Sequence, residues 1–215
     1  MNSSSDRLNA LDFGTIDFSV SNDLQLMLAS YRSRQMITDT LVFAEHPAVI
    51  TVGHFADRSN IIWSEEKLKR KKIGIVDINR GGDVTLHLPG QLVIYPIFDL
   101  MELHVSLRKF INVLEEIVIE VCRKNGVLDA ERSSHPGVYV GGKQISAIGL
   151  HISRDVVTQG ISVNLSPDIE LFKSINLCGV KDLSATSILA ETGRIPEINN
   201  VKNSFLNLFN VYFLC

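Results

Sequence analysis

Between Gly137 and Leu165 the sequence strings three β-type runs together with almost nothing between them. Gly137 to Val140 and Lys143 to Ile152 flank the pair Gly141-Gly142, and Val156 to Leu165 follows at once. Two glycines between such runs signal a hairpin, because a two-residue turn matched to strand twist needs positive φ at both central positions. A chain built around a hairpin meander cannot be a strict βαβ repeat, which sets aside a Rossmann-type sheet.

The rest of the chain mixes strands and helices around this unit. Leu41 to Glu45 and Ala48 to Val52 read as short strands on either side of His46-Pro47, and Ile73 to Ile78 and Gln91 to Phe98 as two more. The clearest helix runs from about Ser106 to Asn125. Leu107, Phe110, Ile111, Leu114, Ile117, Val118 and Val121 recur at helical spacing, and Gly126 suits the position after the helix end. Ser21 is placed to cap a helix reaching Arg34, with Leu24, Met27, Leu28 and Tyr31 on one face. Ser64 with Glu65 and Glu66 opens another helix, whose last turn is the basic run Lys67 to Lys72, favoured there by the helix dipole. Asp168 to Ile175 reads as a short helix. A final helix after Pro196 carries the stripe Val201, Phe205, Leu208, Phe209 and Tyr212. The expectation is an α/β fold with a mixed sheet and packed helices, one domain over residues 1–215, with the polar residues 1–7 mobile.

Composition narrows the function classes. With 45% hydrophobic and 21% charged residues the chain can bury a core. A net charge of −3 offers no basic excess for nucleic acid or an anionic membrane. No apolar stretch approaches the roughly 20 residues that cross a bilayer. The opening MNSSSDRLNALDF lacks a basic segment followed by an apolar one, so a cytoplasmic chain with reduced thiols is expected.

Chemistry concentrates in few places. Arg80-Gly81-Gly82-Asp83-Val84-Thr85-Leu86-His87-Leu88-Pro89-Gly90-Gln91 follows a strand. Its paired glycines allow a ligand close to the backbone, and equally make a tight turn; the spacing is neither a P-loop nor a dinucleotide fingerprint. Cys178 sits in a glycine-bordered loop, whereas Cys122 falls beside the apolar stripe of the long helix and Cys215 ends the chain. A cysteine nucleophile needs a base or a cation beside it, because the thiolate is the reactive form; a small buried apolar residue is the alternative reading. Lys143, directly after the hairpin glycines, is either solvated or the natural partner of such a thiolate. The six histidines show no metal-ligand spacing, and no metal or cofactor is expected.

Four stretches together resemble the octanoyltransferases of lipoate biosynthesis. They are Glu45-His46-Pro47-Ala48-Val49-Ile50-Thr51-Val52-Gly53; Arg80 through Gln91; Gly137-Val138-Tyr139-Val140 through Lys143-Gln144-Ile145-Ser146-Ala147-Ile148-Gly149; and Gly160-Ile161-Ser162-Val163-Asn164 through Asn176-Leu177-Cys178-Gly179. The resemblance implies the fold shared by biotin and lipoate protein ligases. It implies a cysteine nucleophile, Cys178, and a lysine before an Ile-x-x-Ile/Leu-Gly stretch, assigned to Lys143. Acyl-substrate contacts fall on Arg80, Gly81, Gly82, Asp83, Val84, Thr85, Leu86 and His87, on Ala147, Ile148 and Gly149, and on Gly160, Ile161 and Ser162. Ile148 is expected to line the acyl tunnel, and backbone amides near Gly179 or at Gly81-Gly82 to hold the oxyanion.

The implied reaction moves an octanoyl group from octanoyl-acyl carrier protein to Cys178, and then to a lysine of a lipoyl domain, in 2-oxoacid dehydrogenases or the glycine-cleavage H protein. Thioester to amide runs downhill, so neither ATP nor metal is required. An ATP-dependent lipoate or biotin ligase, and a degenerate relative that only binds lipoyl domains or acyl carriers, are the rival readings. Three departures from the family pattern stand out: Leu88 for a glycine, Gln159 for a histidine and Leu177 for a proline.

Overall fold

The computed structural model describes residues 8–214; the expected mobility of residues 1–7 and the expected fraying of Cys215 lie outside that range. In chain order the elements are β1 (Leu8–Thr15), α1 (Phe18–Ser33), β2 (Asp39–Glu45), β3 (Val49–Val52), α2 (Glu65–Arg70), β4 (Gly74–Asp77), β5 (Val84–His87) and β6 (Gln91–Ile97). Then follow α3 (Leu107–Lys124), β7 (Glu131–Arg132), β8 (Gly137–Val140), β9 (Lys143–Ser153), β10 (Val156–Asn164), α4 (Ile188–Thr192) and α5 (Ile198–Phe213).

Among the described residues the strands form two sheets. The larger has the order β1-β2-β6-β10-β9-β8-β7, and the smaller β4-β3-β5. β1 runs parallel to β2 and β3 parallel to β4; the other pairs are antiparallel, so the sheets are mixed. Gly141 and Gly142 take φ 53° and 77° and close the β8–β9 hairpin, as the sequence requires. The two β-type runs around His46-Pro47 do not pair with each other. β2 lies in the large sheet and β3 in the small one, and the chain returns from β5 to β6 through Leu88-Pro89-Gly90. The two sheets therefore share a corner, and the residues between them are candidates for a site.

One face of the large sheet carries the main core. α3 buries Phe110, Leu114, Ile117, Val118 and Val121, and α5 buries Val201, Phe205, Leu208 and Phe209. Phe98, Phe110, Phe209 and Phe213 meet there with ring centroids 5.0–6.1 Å apart. Each such side chain contributes about 1.5–3 kcal/mol by leaving water. Leu107, expected in the stripe, is exposed at the first turn. α3 ends where Gly126, at φ 92°, lets Val127 N donate back to Cys122 O over 3.0 Å. A second cluster lies under the small sheet, where Ile50, Leu86, Leu88, Phe172, Ile175 and Leu177 meet.

Helix α1 differs from expectation. Asp17, not Ser21, caps it, accepting from Ser19 N and Val20 N, and Ser21 is wholly buried within the helix. Its buried face is Phe18, Ser21, Gln25 and Arg32, whereas Met27 and Tyr31 of the expected stripe are exposed. Periodicity defines a stripe but not the side that packs; here the polar side faces the large sheet because it completes a hydrogen-bond network described below. Residues Ile169–Ser174 form 3-10 turns where a short helix was expected. Strands β1 and β5 were not visible in the sequence. β1 is a largely exposed edge without alternation, and β5 has four residues.

Candidate active site

Residues Asn176 to Val180 form one tight turn against the small sheet. Cys178 is in the left-handed region at φ 53°, ψ 26°, and Gly179 follows at φ 73°. A non-glycine residue held there costs of order 1–3 kcal/mol and persists only where its surroundings fix it. They do so here. Leu177 is buried in the small-sheet core, Asn176 N donates to Asn60 O over 2.8 Å, and Asn176 Nδ2 donates to Asn60 Oδ1 over 3.0 Å. Asn60 Nδ2 in turn donates to Asp83 Oδ2 over 2.8 Å, tying the cysteine turn to the loop before β5.

The side chain at the sulfur is Gln144. Its Nε2 donates one hydrogen to Cys178 Sγ over 3.3 Å and the other to Tyr139 Oη over 3.2 Å. Gln144 is buried, and its backbone is clamped from the segment leading into α4: Gln144 N donates to Ser184 O, and Thr186 N to Gln144 O. The expected partner, Lys143, has its side chain 53% exposed and its Nζ 3.9 Å from Glu191 Oε1. This corrects the Lys143 assignment, and the reason is geometric. Successive side chains on a strand point to opposite faces, so when Gln144 turns toward the sulfur, Lys143 turns away. The sequence held the signal: the residue immediately before Ile145-Ser146-Ala147-Ile148-Gly149 is Gln144.

Arg80 is the buried cation of the site. Its guanidinium makes four hydrogen bonds, all to uncharged oxygens: Thr51 O at 3.0 Å, Thr51 Oγ1 at 2.8 Å, Thr85 Oγ1 at 2.9 Å and Gly81 O at 2.9 Å. Burial pulls its pKa down to about 10, against the opposing fields of Cys178 and Asp83. The Cys178 thiol is pushed up by burial; the Gln144 hydrogen bond and the Arg80 charge pull it down, and Asp83 pushes it up. Burial alone raises Cys122, to about 12, which fits a packed and unreactive thiol.

Two adjoining small cavities lie between β5 and the β9–β10 face, with volumes of about 10 and 20 Å³, room for about one water molecule each. The first reaches Cys178, Gln144, Val84, Leu86, Phe172 and Leu177; the second reaches Arg80, His87, Tyr95, Gly149, Gln159 and Gly160. Thr85, Ala147 and Ser162 line both, so the two form one slot leading away from the sulfur. Thus Arg80, Val84, Thr85, Leu86, His87, Ala147, Gly149, Gly160, Ile161 and Ser162 of the expected substrate contacts border the slot.

Ile148 does not border it. Strand alternation turns Ile148 toward the α3–α5 core, and the smaller Ala147 and Gly149 face the slot. Gly81, Gly82 and Asp83 shape the loop instead. Gly81 N donates to Leu150 O, and Gly179 N to Asn176 O, so these two amides expected at an oxyanion already have partners.

The far end of the slot is closed by a polar cluster. Tyr95 Oη and His46 Nε2 are 2.6 Å apart, and His46 Nδ1 and Ile16 O 2.8 Å. His87 Nδ1 and Gln91 Oε1 are 2.7 Å apart, and the His87 ring stacks on Phe18 at 5.6 Å between centroids. Burial, with His46 and Arg80, holds His87 down to about 3, so it is neutral. Gln159, at φ 59°, donates its N–H to Gln25 Oε1 over 2.9 Å and its Nε2 to Asn22 Oδ1 over 3.0 Å. The three departures are thus absorbed: Leu88 and Leu177 fill the small-sheet core, and Gln159 ties β10 to α1. Among the described residues no group of three or more His, Cys, Asp or Glu side chains could hold a metal ion.

Residues 17–210 match the model of the lipoyl protein ligase A/B catalytic domain. An octanoyltransferase of Alkaliphilus metalliredigens is 41% identical over 207 residues, covering 96% of this chain and 95% of that one. An octanoyltransferase of Koribacter versatilis is 36% identical over 211 residues, covering 96% and 84%. Among solved structures, a bi-partite lipoate protein ligase from Thermoplasma acidophilum superposes with a TM-score of 0.70 at 14% identity, covering 95% of this chain and 83% of that one.

Proposed function

The chain belongs to the lipoyl protein ligase A/B catalytic-domain family, and from that premise we propose a two-step octanoyl transfer carried by Cys178. It is an acyltransferase of the octanoyltransferase kind, acting in lipoate biosynthesis. The observation that carries the cysteine route is the left-handed Cys178 turn bordering the slot, with an amide donor on its sulfur and the charge of the buried Arg80 favouring the thiolate.

In the first half-reaction Cys178 Sγ attacks the thioester of octanoyl-acyl carrier protein, and the carrier thiol leaves. The octanoyl chain enters along the line of the two small cavities past Ala147 and Ser162, parting their walls as it binds, and each buried CH₂ contributes about 0.8 kcal/mol. In the second, the amine of a lipoyl-domain lysine attacks the acyl-cysteine and takes the acyl group as an amide, freeing Sγ. The acceptor is a lipoyl domain of a 2-oxoacid dehydrogenase or the glycine-cleavage H protein. Splitting the transfer this way replaces one difficult step by two easier ones. The donor arrives already activated, so neither ATP nor a divalent metal enters the reaction.

The test is an incubation of purified protein with octanoyl-carrier protein and a lipoyl domain, without nucleotide and with chelator present. A lipoyl domain heavier by one octanoyl group is expected. Modification that appears only with ATP contradicts the proposal and assigns a ligase reaction instead.

A further inference from the structure

The proposal above leaves open which group assists the sulfur, and the inference here rests on that proposal. We propose that Gln144 is the catalytic side chain acting on Cys178, donating its Nε2–H to the sulfur in both half-reactions and carrying no proton. Three observations converge on it. Gln144 Nε2 is 3.3 Å from Sγ. Its second hydrogen is held by Tyr139 Oη, and its backbone is bonded on both sides to the 184–186 segment, so the amide starts from a fixed backbone and swings away only by breaking the Tyr139 bond. The lysine beside it faces outward toward Glu191.

A carboxamide stabilises negative charge but cannot accept a proton. The proton balance of the reaction follows. In the first half-reaction Sγ–H gives its proton to water; the thiolate lone pair forms the S–C bond, the carrier's C–S bond breaks, and the carrier thiolate recovers a proton from water. In the second, the lysine nitrogen lone pair forms the N–C bond, the C–Sγ bond breaks, and the proton shed by the amine returns to Sγ or to water. The rate of the first step then follows the thiolate population.

The ionisable groups around the sulfur fit this account. Arg80 acts from the loop before β5 and favours the thiolate. Asp83 acts from the same loop and opposes it, and burial opposes it further. Tyr139, on β8, keeps its proton: burial, with the Cys178 and Glu115 charges, raises its pKa. Lys181 and Asp182, just beyond the turn, are exposed and of opposite sign.

Acyl-enzyme formation from octanoyl-carrier protein is measured by quenched intact-mass spectrometry between pH 6 and 9. Alkylation of Cys178 by iodoacetamide is followed in parallel, in wild type, Gln144→Leu, Gln144→Glu, Gln144→Lys and Lys143→Ala. Wild-type acylation is expected to rise about tenfold per pH unit until the thiol ionises. Gln144→Leu should slow acylation about tenfold to hundredfold and move both profiles to higher pH, the loss of one hydrogen bond to a charged group. Gln144→Glu, nearly isosteric, should move them further; Gln144→Lys should move them to lower pH; Lys143→Ala should match wild type. A pH-independent wild-type rate, unchanged profiles in both Gln144→Leu and Gln144→Glu, or a Lys143→Ala variant as slow as Gln144→Leu would overturn the assignment. If the wild type forms no acyl-enzyme at any pH the octanoyl-transfer proposal fails instead, and the alkylation profiles still decide whether Gln144 acts on the sulfur.

Discussion

Gly179 and Asp83 are packed so closely that a Cβ on the glycine would lie 2.7 Å from Asp83 Oδ2. The same glycine has φ 73°, which side chains rarely adopt. Asp83 is also fixed, since its Oδ1 accepts from Val84 N and its Oδ2 from Asn60 Nδ2. Gly179→Ala must therefore displace either the carboxylate or the cysteine turn. A stability loss of about 1–3 kcal/mol is expected, together with acylation at least tenfold slower (about 1.4 kcal/mol in barrier). Denaturant unfolding and acyl-enzyme kinetics measure both. An alanine variant acylating at the wild-type rate would show that the turn geometry is unimportant.

Arg80 satisfies Thr51 and Thr85 with a planar fork that an ammonium cannot reproduce. Arg80→Lys should leave one or more of these buried oxygens unpaired and lower stability by about 2–3 kcal/mol. It should also shift iodoacetamide reactivity of Cys178 to higher pH, because the buried cation whose charge favours the thiolate moves or loses its charge more readily. Equal denaturation midpoints for variant and wild type would contradict the structural part of this account.

His87 makes stability pH-dependent. Its folded pKa, about 3, lies below the ordinary 6.5. The folded protein keeps the ring neutral while the unfolded chain takes up a proton below pH 6.5. Stability is therefore full above pH 6.5 and falls as the pH drops toward 3, by about 1.4 kcal/mol per pH unit for this one group. Burial lowers His46 as well, adding in the same direction. Urea unfolding of wild type and His87→Asn between pH 6.5 and 5 should show the shallower slope in the variant. Equal slopes would mean that His87 is protonated in the folded state.

How much of this was legible in the sequence depended on the kind of signal. The α3 stripe and the Gly141-Gly142 hairpin were readable because each rests on local periodicity or on a backbone geometry that one residue type supplies. Cys178, Arg80 and the slot residues of β5, β9 and β10 were flagged by motif and come together in space. What escaped was decided by facing. The Lys143–Gln144 step, the outward turn of Ile148 and the polar inner face of α1 each depend on which side of an element packs, and only tertiary contacts settle that. β1 escaped because an exposed edge strand needs no alternation.

The central claim, transfer through Cys178, is tested most directly by intact-mass measurement of the protein after incubation with octanoyl-carrier protein alone, followed by peptide mapping. The account predicts one added octanoyl group, located on Cys178, absent in Cys178→Ala and lost when a lipoyl domain is added. An adduct on Cys122 or Cys215, or a Cys178→Ala protein that still octanoylates the lipoyl domain, would contradict it.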